Sequence, residues 1–150
     1  MGDNVELTPD AVGESPVLVQ GATRLEKVNR RVTNLQERLV KQALADLNFD
    51  DKQYRPAAVL NAISNAKNEL ILPNDYPRRN YRDEVVARVY ERYQARLLEN
   101  NSVDFDDLLL WAVRLLADNP DIREAYSHKF EHVLVDEFQD TNTAQYELLR

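Results

Sequence analysis

The sequence contains no cysteine, and its 3 glycines all lie within the first 21 of 150 residues. Without cysteine there is no disulfide framework, no thiolate nucleophile and no cysteine zinc site. The absence suits a cytoplasmic protein. The two histidines, His128 and His132, are too few and too close in sequence to build a histidine metal centre. No apolar run approaches the 18 or more residues of a membrane span, and no membrane partner is expected. The first residues lack a basic region followed by an apolar stretch, so no secretory leader is expected. A phosphate-cradling loop of the form G-x-x-x-x-G-K-[ST] is missing as well. Of the five lysines, Lys27, Lys41, Lys52, Lys67 and Lys129, none follows a glycine and none precedes serine or threonine.

What remains is a chain with 43% hydrophobic and 30% charged residues, enough to fold and long enough for one ordinary domain. Its net charge of −7 is unevenly spread. Residues 1–20 hold four acids and no base, and residues 101–150 hold eleven acids and four bases. Between them lie fifteen bases and eleven acids. Polyanion contacts are therefore expected from the middle of the chain, and the acidic last third repels DNA unless a cation or another domain intervenes.

Residues 1–33 read as a poorly patterned lead-in, with a short apolar run at Val17–Val19 that fits a remnant strand. Helical spacing then predicts helices over 34–47, 56–70, 81–100 and 104–118, and a short helix over 121–128. Pro56 suits the first turn of the second helix, and Asp104 suits the N-cap of the fourth. The fourth is apolar nearly all round. Phe105, Leu108, Leu109, Ala112, Leu115 and Leu116 form its expected core stripe, and Leu110, Trp111 and Val113 widen it. Tyr90, Tyr93 and Trp111 read as core residues.

The pattern changes at His132-Val133-Leu134-Val135, apolar on both faces and closed by Asp136-Glu137. This reads as a central strand of a parallel sheet, followed by a helix capped by Thr141 or Asn142. Ligands of open α/β sheets bind at the carboxyl ends of such strands. Nucleotide hydrolysis needs one carboxylate for Mg²⁺ and a second group to orient or deprotonate water. Taken alone, an Asp-Glu pair is ordinarily a solvated strand end.

The longer string narrows the choice. Val135-Asp136-Glu137-Phe138-Gln139-Asp140-Thr141-Asn142, with Gln145 after it, resembles motif II of the UvrD/Rep/PcrA family of superfamily 1 DNA helicases. Asp104-Phe105-Asp106-Asp107-Leu108-Leu109 is similar to that family's D-F-D-D-L-L segment. Residues 47–52, 63–70 and 90–94 resemble its helical insertion, domain 1B. The resemblance implies a mainly α chain: a 1B-like helical domain over 34–128, joined to a piece of a RecA-like α/β ATPase domain over 129–150. It implies ATP and Mg²⁺ as cofactors, with Asp136 as the metal ligand. Glu137 would be the base for the attacking water, and Gln139 would couple the nucleotide site to DNA. Asp136, Glu137 and Gln139 would together contact the nucleotide. The implied partner is DNA at a single-strand/duplex junction, in repair or replication, with 3′→5′ polarity. Lys67, Arg78, Arg79 and Arg82 would touch phosphates, with Tyr76 and Tyr81 nearby. For each of these bases an ordinary solvated helix surface is an equally good reading.

The departures from the family are as informative. Thr23-Arg24-Leu25 stands where G-x-G-K-T belongs, and the motifs that follow motif II in the family are not in these residues. The chain is expected to be a helicase fragment that neither hydrolyses ATP nor unwinds DNA by itself. The alternative is a non-catalytic helical module that binds duplex DNA or protein, with strand 133–135 open to pairing with another chain.

Overall fold

The computed structural model describes the backbone of residues 16–150 and the side chains of residues 29–150. Of the expected lead-in over 1–33, residues 1–15 lie outside the described residues. Among the described residues six helices run in order: α1 (Pro16–Asp46), α2 (Pro56–Asn68), α3 (Tyr81–Glu99), α4 (Phe105–Asp118), α5 (Pro120–Lys129) and α6 (Thr143–Leu149). One-turn 3-10 helices occupy Pro73–Asp75 and Phe138–Asp140. The described residues contain no strand, so the chain is mainly α.

Two expectations are corrected here. Residues 17–19 are not a remnant strand; they lie in the first turns of α1. Pro16 has its φ already fixed near the helical value, and the Arg-, Glu- and Lys-containing stretch behind it propagates a helix readily. Residues 133–135 take no regular secondary structure and join no sheet, and Leu134 is 98% exposed. An apolar run that suits a central strand forms no ladder without neighbouring strands to supply hydrogen bonds.

The described residues fall into two units that divide after Leu35. In the first, Thr33 Oγ1 donates back to the Asn29 carbonyl, one turn earlier in the helix. The second holds the core. Val40, Ala43 and Leu44 of α1 meet Val59, Leu60, Ile63 and Ala66 of α2. Val85, Val89, Tyr90, Tyr93 and Leu97 of α3 complete the cluster. Each large side chain buried this way contributes about 1.5–3 kcal/mol. Outside the core, Asp46 Oδ2 accepts from Arg92 Nε at 2.6 Å and from Arg96 Nη2 at 2.7 Å, clamping the end of α1 to α3. Those two guanidinium groups hold the Asp46 carboxyl below its ordinary value.

Helices end without glycine. After α1, Phe49 N–H reaches the Leu44 carbonyl and Asn48 N–H reaches that of Ala45. The same double closure links Ile71 to Ala66 and Leu70 to Lys67 after α2, and Ser102 to Leu97 and Asn101 to Leu98 after α3. These are Schellman motifs, and the residue at the turn must be left-handed. Asn48, Leu70 and Asn101 accordingly have φ of 58°, 59° and 48°.

α4 turns a different face inward from the expected one. Its buried residues are Asp107, Leu110 and Val113. Phe105, Leu108, Trp111 and Leu115 are 45–59% exposed, so neither the full expected stripe nor the core assignment of Trp111 holds. The helix is apolar on several sides, and its rotation is set by two acids that must reach a buried lysine.

Candidate functional site

The acidic segment is a short, solvent-facing turn. Glu137 sits in the left-handed region at φ 51° and ψ 40°, which swings the chain into the 3-10 turn at Phe138–Asp140. Asp136 Oδ1 accepts the Glu137 N–H at 2.9 Å. Gln139 Nε2 donates to Glu137 Oε2. Asp140 N–H closes back on the Glu137 carbonyl, and Thr141 Oγ1 donates to that of Phe138 at 2.7 Å. Asp136, Glu137 and Gln139, singled out from the sequence, are thus neighbours within one hydrogen-bonded turn, and all are exposed.

No three His, Cys, Asp or Glu side chains among the described residues cluster as an all-protein metal cage. A single hard carboxylate nonetheless fits Mg²⁺, which usually takes one or two protein oxygens and fills its octahedron with water and phosphate. Asp136 is an oxygen donor of that kind, with Oδ2 in no hydrogen bond among the described residues.

Downstream, Asn142 caps α6 in a reciprocal box with Gln145, at 2.8 and 3.1 Å. Asn142 Nδ2 also donates to Asn68 Oδ1 at 2.9 Å, and Thr143 Oγ1 donates to Glu69 Oε2 at 2.7 Å. Ala144 is fully buried beneath them.

The four basic candidates separate sharply. Lys67 is 1% exposed and is no phosphate contact. Its ammonium lies 2.7 Å from Asp104 Oδ2 and 2.8 Å from Asp107 Oδ1, and all three side chains are 3% exposed or less. A phosphate would have to enter the core and meet two carboxylates, so that assignment is corrected. Arg78 is on the surface but is already paired, with Glu84 at 3.1 Å and Glu91 at 2.7 Å. Arg79 and Arg82 are exposed and make no ion pair among the described residues. Arg82 also shares a shallow pocket with Gln53, Tyr54 and Arg55. Tyr81 beside it is 70% exposed, whereas Tyr76 packs edge-on against Tyr90.

Sequence reasoning missed the network around Lys67. Tyr93 Oη donates to Asp104 at 3.0 Å, and Gln94 Nε2 donates to both oxygens of Asp107 at 3.1 and 3.0 Å. Asp104 and Asp107 also accept each other's backbone N–H in a capping box at the start of α4. Burial, and then the Asp104 charge, raises the Tyr93 hydroxyl far above its ordinary value, so it stays a donor. One ammonium therefore faces two carboxylates. The excess negative charge is met by neutral donors and by the positive end of the α4 dipole. The lysine had a legible signal: it stands four residues after Ile63 and seven after Leu60, on the apolar stripe of α2.

The model of the UvrD/REP helicase N-terminal domain matches residues 13–150, and the chain belongs to that family. It is 45% identical over 119 residues to the ATP-dependent DNA helicase PcrA of Leuconostoc citreum, covering 78% of this chain and 16% of that protein. Against PcrA of Bacillus subtilis (strain 168) it is 43% identical over 114 residues, 75% of this chain and 15% of the relative. Against PcrA of Staphylococcus aureus (strain Mu50 / ATCC 700699) it is 41% identical over 117 residues, 77% and 16% respectively. The chain thus spans about a sixth of the length of these relatives. No described helix is long and apolar enough to cross a membrane.

Proposed function

We propose that this chain is part of the motor of an ATP-dependent DNA helicase, coupling ATP hydrolysis to translocation and unwinding. Its family membership carries the reading, and the exposed, hydrogen-bonded D-E-F-Q-D turn supports it. Residues 34–128 would be the 1B-like helical domain and 129–150 the edge of a RecA-like ATPase domain. The exposed apolar run at 133–135 suits that second role, because such a run is normally covered by neighbouring strands. A cytoplasmic location and a role in DNA repair or replication accompany the reading.

In this mechanism Asp136 would hold Mg²⁺, which would supply charge neutralisation to the nucleotide phosphates. Glu137 takes the proton of the attacking water. Gln139, which donates to Glu137, holds that carboxylate oriented and links it to the DNA path. Arg79 and Arg82 contact phosphates of duplex DNA ahead of the fork, 3′→5′ in polarity, with Arg78 weakened by its two glutamates. The 150 residues alone hold no Gly-Lys phosphate cradle, and phosphoryl transfer depends almost wholly on positioning and charge neutralisation. The isolated chain is therefore expected to lack ATPase activity with or without single-stranded DNA. DNA-stimulated turnover that Glu137→Gln abolishes would overturn this.

A non-catalytic duplex-binding module is the second reading, and the exposed Arg79 and Arg82 favour it. Fluorescence anisotropy with a labelled duplex tests it. Binding should weaken with salt and fall further in Arg79→Ala/Arg82→Ala, with a shallower salt slope.

A further inference from the structure

Three consecutive residues at the end of α2 reach three different places. Lys67 goes to the N-terminus of α4, Asn68 to the cap residue of α6, and Glu69 to the first residue of α6. Successive helix positions differ by about 100°, so adjacent side chains on one turn naturally diverge. The turn is also closed by backbone hydrogen bonds. Leu70 is locked left-handed, and the Ile71 and Leu70 N–H groups close the Schellman motif over it. The acidic turn is exposed over 131–140 and is joined to the body from its C-terminal side, where Asn142 caps α6.

We propose that Lys67-Asn68-Glu69 is a joint through which the helical body positions the acidic turn, with Asn68 and Glu69 as positioning residues for Asp136, Glu137 and Gln139. The joint rests on the nucleotide-site reading for its purpose, though not for its geometry. Lys67 ties it to α3 and α4 through Asp104, Asp107, Tyr93 and Gln94. Asn68 and Glu69 then fix where α6 begins. The Phe138–Asp140 turn lies only two residues before α6, so the start of α6 determines where that turn sits. A displacement of α2 or α3 would be passed to the acidic turn through these two side chains.

Amide exchange of the 150-residue chain, followed by NMR, tests this with Lys67 left intact. In Asn68→Ala/Glu69→Ala, the Gln145 and Tyr146 amides, which bond to Asn142, should exchange about tenfold faster, reflecting the loss of two side-chain hydrogen bonds. Amides of α3 should stay within about twofold of the parent. Asn68→Asp/Glu69→Gln keeps both acceptors and should restore the slow exchange. Unchanged exchange at 145–146, an equal acceleration throughout α2–α4, or no restoration by the conservative pair would overturn the joint. Broadening of the Asp136 and Glu137 amides by Mn²⁺ tests the nucleotide reading separately. Rescued exchange without broadening would sink that reading and leave the joint standing.

Discussion

Replacing Lys67 with methionine should be among the most damaging single changes available to this chain. Methionine keeps the length and apolar stem of lysine, so the packing against Tyr90 and Tyr93, whose ring centroids lie 5.9 and 5.3 Å from the ammonium, is largely preserved. What disappears is the cation facing Asp104 and Asp107, both buried. Breaking a buried ion pair by removing one partner costs about 3–5 kcal/mol, because the remaining charge is stranded. Here two carboxylates are left, softened only by Tyr93, Gln94 and the start of α4. Domains of this size have total stabilities of about 5–15 kcal/mol, so the variant should approach unfolding. Urea titration followed by circular dichroism at pH 7 is the assay. With a slope of about 2 kcal/mol/M, the midpoint should fall by roughly 2 M. Adding Asp107→Asn to the methionine variant should recover part of the loss, since it removes one stranded charge. A loss below about 1 kcal/mol in Lys67→Met, or further destabilisation by the second change, would refute a dry, charge-coupled cluster.

Other outcomes follow from the same geometry. Asp46 is held below its usual value of 3.8 by Arg92 and Arg96, so its stabilising contribution is complete above about pH 4. That contribution is lost as pH falls through the lowered folded value. Acid titrations of the parent and Asp46→Asn should therefore converge at low pH and separate above it, less so in high salt. Asp106 is raised by burial, so it works in the opposite direction: Asp106→Asn should lessen the decline in stability as pH rises past 3.8. Asn101→Gly relieves a left-handed residue with a side chain and should stabilise by about 0.5–1 kcal/mol in thermal melts. Asp104→Ala removes both an α4 cap and a lysine partner and should cost more than the ~1 kcal/mol of an ordinary cap.

Helices were the legible part of this sequence. Of the expected stripe Val59-Leu60-Ile63-Ala66-Leu70 all but Leu70, which is half-buried beyond the end of α2, are buried; Val86-Tyr90-Tyr93-Leu97 is buried throughout, and Asp104 and Asn142 cap α4 and α6. Their signals are local, set by period and by side chains that reach their own backbone. Errors arose where a neighbour decides the outcome. Val133-Leu134-Val135 has strand composition, but a ladder needs partners that no local pattern reveals. α4 is apolar around most of its circumference, so hydropathy alone cannot choose its inner face; the Lys67 pairing does. Lys67 itself lies in a polar string, Ser64-Asn65-Ala66-Lys67-Asn68, that reads as surface unless its register with Ile63 is weighed. The acidic turn was found by its motif, whereas its attachment to Asn68 and Glu69 spans 74 positions and leaves no local trace.

The buried lysine also bears on how the chain folds. The cluster draws on three helices: Lys67 from α2, Tyr93 and Gln94 from α3, and the two aspartates from the start of α4. Docking α2 on α3 without α4 would strand the ammonium, and docking α3 on α4 without α2 would strand both carboxylates; α2 on α4 pairs the charges but lacks the Tyr93 and Gln94 donors. Partial assemblies are thereby penalised far more than a purely hydrophobic three-helix core would penalise them. α2, α3 and α4 should consequently open and close as one cooperative unit, and peptides carrying only two of them should remain unfolded.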